Sequence, residues 1–101
     1  MAFTGDENHA ITLGDASQLT GNYRAHTAVK GGFFGRKAIE EILAQNGCVG
    51  IRVYFAQQND GSPTLVLVGV DASENDMENG LLAEDYKPCP PYCGQSSRLN
   101  S

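Results

Sequence analysis

The chain is short of positive charge and of long apolar runs, and its few cysteines are odd in number. Each shortage narrows what it can do. Lys and Arg total 7 against 12 Asp and Glu, giving a net charge of −5 and a pI near 4.7. With no basic run on any predicted face, neither a nucleic-acid backbone nor an anionic membrane surface is an expected partner. The longest apolar stretch, Leu65 to Val70, falls far below the ~20 residues that span a bilayer as a helix. The opening residues 1–7 have neither a basic n-region nor an apolar h-region, so no secretory signal is read and the cytoplasm is the expected compartment. The 3 cysteines, Cys48, Cys89 and Cys93, do not form a fully paired secreted framework, and free thiols are the default in a reducing compartment. Gly-x-Ser-x-Gly and His-Glu-x-x-His motifs are also missing.

What is present points to one small domain. With 101 residues and 41% hydrophobic content, the chain can bury a single core. The organising stretch runs from Cys48 to Ala72. Val49, Ile51, Val53 and Phe55 alternate with Gly50, Arg52, Tyr54 and Ala56, the period of a strand with one face on a core. Leu65, Val66, Leu67, Val68 and Val70 are apolar on both faces, which predicts a central strand covered on both sides. Between them, residues 59–63 read Asn-Asp-Gly-Ser-Pro, a turn.

Ahead of the hairpin, two helices are expected. Thr12 with Asp15 resembles a capping box. Leu13, Ala16, Leu19, Thr20 and Tyr23 then recur at spacings of three and four, predicting a helix over 13–28 with Gly21 as its weak point. Lys30, Gly31 and Gly32 break it. This glycine run neither follows a strand nor ends in Lys-Ser/Thr, so it reads as a helix break rather than a phosphate cradle, with Phe33 and Phe34 as plugs beside the sheet. A second helix follows over 36–45, with Ala38, Ile39, Ile42 and Leu43 on one stripe and Asn46-Gly47 as its stop. After a polar loop, residues 81–86 read as a third, shorter strand antiparallel to the second, with a helical turn as the alternative. The expected organisation is a flexible leader over 1–10, a single α+β domain over 11–94 and a disordered tail over 95–101.

Candidate chemistry centres on the tail. Cys89-Pro90-Pro91-Tyr92-Cys93 looks at first like a glutaredoxin-type Cys-Pro-Tyr-Cys centre. It carries one extra proline, however, and only eight residues follow it, too few for the helix such a centre needs. The pair also has permitted spacing for zinc or iron, with Cys48 as a third ligand and His26 or His9 as a fourth, although a single Cys-x-x-x-Cys lacks a second knuckle. The blander readings are an apolar thiol at Cys48, exposed histidines, and a small disulfide between Cys89 and Cys93. Asp71, Asp76 and Glu78 fail the EF-hand pattern at Asp76 and Leu82 and read as a solvated acidic loop. His26, Asp71, Glu84 and Arg52 are titratable or charged groups from which an acid/base site can be built, and Arg52, Tyr54 and Asp71 mark a candidate interface pocket.

Several blocks together carry a resemblance: Ile11-Thr12-Leu13 with Ala16, Leu19, Thr20, Tyr23 and Arg24; Phe33-Phe34-Gly35; Gly47-Cys48-Val49-Gly50-Ile51-Arg52; Leu65 to Ala72; and Pro88-Cys89-Pro90-Pro91-Tyr92-Cys93-Gly94. In these the chain resembles a group of small uncharacterised bacterial proteins, over most of residues 11–94. The resemblance implies no activity, cofactor or catalytic residue.

The expected architecture is therefore two N-terminal helices on one face of a three-stranded antiparallel meander, with a Pro/Cys-rich tail. A central strand apolar on both faces needs cover on the second face, which predicts a homodimer formed through the sheet. The leading functional expectation is a small soluble non-enzymatic binding or assembly module with no predicted cofactor. The alternative is a metal or thiol-redox protein using the tail cysteines.

Overall fold

The hydroxyl of Thr12 opens the first helix, accepting from the backbone N–H of Asp15 at 3.1 Å. In the computed structural model, which describes residues 2–100, that helix, α1, spans Leu13–Arg24. It is followed by β1 (Gly31–Phe33), α2 (Arg36–Leu43), β2 (Cys48–Gln57), β3 (Pro63–Asp71), β4 (Leu82–Ala83) and β5 (Lys87–Cys89). The class is α+β, with an antiparallel sheet in the order β2-β3-β4 and a separate ribbon of β1 and β5. Contacts group the chain into two compact units, where the sequence suggested one domain. The first comprises the described residues up to Glu7 with Phe34–Tyr86, the second Asn8–Phe33 with Lys87 through residue 100. Met1 and Ser101, the outer ends of the expected leader and tail, lie outside the described residues.

The first unit is built on the predicted hairpin. β2 and β3 pair in register from Gly50↔Val70 to Gln57↔Pro63, with a bulge at the Cys48 end. In the turn, Asp60 Oδ1 accepts from both Ser62 N (3.0 Å) and Ser62 Oγ (2.7 Å). β4 joins the other side of β3 through Leu67↔Ala83 and Val68↔Leu82, so the expected third strand forms but is only two residues long. Asp85 follows it at φ 61°, a left-handed backbone that no strand continues. The leader is tied to this unit by the Phe3 N–H, which donates to Ala72 O at 3.0 Å.

α2 ends at Leu43, two residues short of the expected Gln45, with Ala44 as its C-cap; Gly47, at φ +87°, is not the helix stop but the left-handed residue of the turn into β2. The α2 stripe puts Ile42, 2% exposed, against β3 at Gly69. A Cβ on Gly69 would stand 2.9 Å from Gln45 Nε2, 3.0 Å from Cys48 Sγ and 3.3 Å from Ile42 Cγ2, so the glycine lets these side chains approach β3 more closely than a larger residue would without their shifting. An eight-residue helix is about 12 Å long and a ten-residue strand about 33 Å. The helix therefore covers one end of the sheet face that Ile51, Val53 and Phe55 share, and Phe55 at the far end is 92% exposed. Phe34 packs beside Tyr86, with ring centroids 6.5 Å apart, as one of the two expected plugs, while Phe33 sits in β1 and is 61% exposed.

In the second unit, α1 is shorter than its expected end at Ala28. The Thr27 hydroxyl accepts from Val29 N at 3.3 Å, a local turn that competes with continued helix. The covered side also differs from the predicted stripe. Ala16, Ser17, Thr20, Gly21 and Arg24 are half-buried while Leu13, Leu19 and Tyr23 are exposed, and the helix buries no residue fully. On the covered side Arg24 Nη1 donates to Thr20 Oγ1 (3.1 Å) and to Leu99 O (2.7 Å). The Gly31-Gly32 break becomes β1, paired antiparallel with β5 through Gly31↔Cys89, Gly32↔Pro88 and Phe33↔Lys87. A two-stranded ribbon has an outward side on each strand, so Pro88 can join without breaking a ladder. Residues 95–100, expected to be disordered, are held by Asn100, whose Nδ2 donates to Cys93 O (3.1 Å) and Gln95 O (3.2 Å).

Candidate functional site

The polar residues of β2 converge on one carboxylate. Arg52 and Tyr54 lie two apart and thus on the same sheet face, opposite Val68 and Val66. After β3 the chain folds back, with Asp76 bridging antiparallel to Val70 and the Met77 N–H donating to Gly69 O at 2.8 Å. This brings Asp76 over that face. Arg52 Nη1 donates to Asp76 Oδ1 at 2.6 Å, Tyr54 Oη donates to Asp76 Oδ2 at 2.5 Å, and Arg52 Nη2 reaches Glu74 O at 3.4 Å. The Tyr54 hydroxyl, and after it the Arg52 guanidinium, hold the Asp76 carboxyl below the ordinary aspartate range. The same hydrogen bond, made to an anion, raises the Tyr54 hydroxyl above its ordinary value.

Of the predicted pocket residues Arg52, Tyr54 and Asp71, the structure thus brings two together. Asp71 instead shapes the turn that delivers Asp76, its Oδ1 accepting from Ser73 N (2.9 Å) and Asn75 N (3.0 Å). The chemical consequence is a latch. Both oxygens of Asp76 are engaged and the Arg52 charge is neutralised, so the cluster ties the 72–80 loop to the sheet.

The other acid/base candidates stand in separate groups. Glu84 Oε2 accepts from the buried Thr64 Oγ1 (2.8 Å) and from Gln58 Nε2 (2.9 Å), and the Thr64 bond leads in lowering its carboxyl. His26, like His9, is exposed and belongs to the second unit. Two organising residues carry no signal of their own in the sequence. As sequence, Asp76 is one member of an acidic loop, and Gln45 is the end of a helix. Gln45 donates from Nε2 to Ile42 O (2.9 Å) and accepts at Oε1 from Leu81 N (2.8 Å), pinning the start of β4 to the end of α2. No local signal announces partners 24 and 36 residues away.

The cysteines divide between the units. Cys89 and Cys93 form a disulfide, with Cα atoms 4.7 Å apart, and neither offers a thiolate in this state. Cys48 is the free thiol, its Sγ bonded to Gly50 O at 3.2 Å within the first unit. Of the expected ligands, Cys48 belongs to the first unit and Cys89 and Cys93 to the second, and among the described residues no three His, Cys, Asp or Glu side chains are grouped to hold a metal ion. Beside the disulfide, Lys87 Nζ lies 5.9 Å from the centroid of the Tyr92 ring. Among the described residues, no helix is long and apolar enough to cross a membrane. Comparison of the chain with protein-family models, with curated proteins and with solved structures finds no match.

Proposed function

We propose that this protein is a small, non-enzymatic binding or assembly module that forms a homodimer in the cytoplasm by pairing the β2 edges of two copies. One observation carries the reading. β2 is ten residues long, pairs among the described residues with β3 alone, and exposes Val53, Tyr54 and Phe55 at 47%, 45% and 92%. A long apolar strand with an open edge is a template for a further strand, and a second copy brings the same strand by symmetry. Pairing of sheet faces has less support. Leu67, Val68 and Val70 of the two-faced β3 are already 3–5% exposed within one chain, so the reason for a partner moves from β3 to β2.

Sedimentation at micromolar concentration tests this reading. A dimer mass that falls to the monomer mass in Phe55→Lys, with the chain still folded, is the expected outcome; a monomer at every concentration would sink it.

A second reading, thiol chemistry in the tail, is favoured by the pairing of Cys89 with Cys93. A free-thiol count with elemental analysis separates its forms. One reactive thiol and no metal fits the disulfide, whereas stoichiometric zinc or iron would point to Cys48, Cys89 and Cys93 as ligands.

A further inference from the structure

The two units are held by different means, and the difference falls on the disulfide. Every buried residue among those described (Ile42, Thr64, Leu67, Val68, Gly69, Val70 and Tyr86) belongs to the first unit. The second unit buries none. Its segments are joined by the short β1–β5 ladder and by backbone acceptors at the two ends of the disulfide ring: Cys89 O accepts from Lys30 N at 2.6 Å, and Cys93 O from Asn100 Nδ2. Asn100 O in turn accepts from Lys30 Nζ, and the neighbouring Leu99 O from Arg24 of α1. The five-residue ring thus fixes the positions of two carbonyls on which both the ribbon and residues 95–100 depend. A unit without a core relies on such a staple.

We propose that the Cys89–Cys93 disulfide is a redox latch for the second unit: its reduction by a dithiol loosens Asn8–Phe33 and residues 87–100 while the hairpin unit stays folded. Both sulfurs are on half-exposed residues, and Pro90, Pro91 and Tyr92 between them are exposed, so a reductant has access. In the exchange, one thiolate of the dithiol attacks a cysteine sulfur and displaces the other cysteine as a thiolate, giving a mixed disulfide. The second thiol of the reductant then closes on the first. The protein's S–S bond becomes two thiols, the reductant becomes a disulfide, and two protons and two electrons pass from reductant to protein. In the expected cytoplasmic compartment the dithiol state would be the resting one, and oxidation would order the unit. This inference does not depend on self-association.

Hydrogen exchange of the full chain, carrying Cys48→Ser to remove the unpaired thiol, tests the latch before and after dithiothreitol, with the gain of two hydrogens by mass confirming reduction. Opening a ring of this size should raise exchange in residues 8–33 and 87–100 by up to roughly thirtyfold, with residues 48–71 unchanged. The double variant Cys89→Ser/Cys93→Ser should show the same pattern without reductant. Unchanged exchange after confirmed reduction, equal acceleration in the hairpin, or a double variant whose hairpin is unfolded would each overturn the proposal.

Discussion

The hairpin unit and the α1-ribbon unit both contain helix and antiparallel strands but are opposite in what stabilises them. In the first, Ile42, Leu67, Val68, Val70 and Tyr86 are withdrawn from water, and the polar contacts, Gln45 to Leu81 and Asp76 to Arg52 and Tyr54, dock loops onto that core. In the second, the large apolar side chains of α1 stay exposed, and a ladder, a disulfide and a few side-chain bonds to backbone carbonyls hold the segments. The contrast teaches that apolar content alone does not say where a core forms. Leu13 and Leu19 are as apolar as the residues of β3, but a lone helix stripe has nothing to bury against unless the topology supplies a second layer.

If that comparison is right, damage should stay within the unit that receives it. The largest effect is expected for Ile42→Ala, which removes the side chain packed on Gly69 and should destabilise the hairpin unit by about 2–5 kcal/mol in denaturant unfolding. A loss below about 1 kcal/mol would mean that α2 contributes little to this core. Next is Thr12→Ala. It deletes the cap of a helix with no buried residue, so about 1 kcal/mol of local helix stability should be lost. Faster hydrogen exchange over residues 13–24, with the hairpin unaltered, is the expected result, and a matching loss in the hairpin would show that the units are not separable. The smallest effect concerns pH and the Asp76 latch. Because the Asp76 carboxyl is depressed when folded, its contribution is present above the ordinary aspartate value and is lost as pH falls through the depressed one. Tyr54 is raised, so its share is present below the ordinary tyrosine value and is lost as pH rises through the raised one. Exchange of the 72–80 loop should therefore rise at both extremes, and Asp76→Asn should flatten the acid limb; an acid limb that survives the substitution would remove Asp76 from the account.

Legibility in the sequence followed the range of each interaction. The β2–β3 hairpin, its Asp60-Gly61-Ser62 turn, the Thr12 cap and α2 all rest on patterns that repeat within a few positions, and the structure has them, although α2 stops at Leu43, before the Asn46-Gly47 expected to end it. β1 is not legible in this way, because Gly31-Gly32-Phe33 has no strand pattern of its own and becomes a strand only through β5, more than fifty residues away. At the candidate site, Arg52 and Tyr54 are legible as polar positions on one face of a strand, while their partner is not. Asp71 and Asp76 are indistinguishable as acidic loop residues until the fold-back of the chain gives one the turn and the other the latch.

The sequence by itself determined the local elements: apolar period, turn chemistry and caps act over a few residues and are written in the chain. Tertiary structure alone decided which stripe acquired a core, which carboxylate met Arg52, and that Cys89 joined Cys93 while Cys48 stayed free. Those outcomes depend on long-range pairing and on the reach of an eight-residue helix over a ten-residue strand, quantities that no window of the sequence contains.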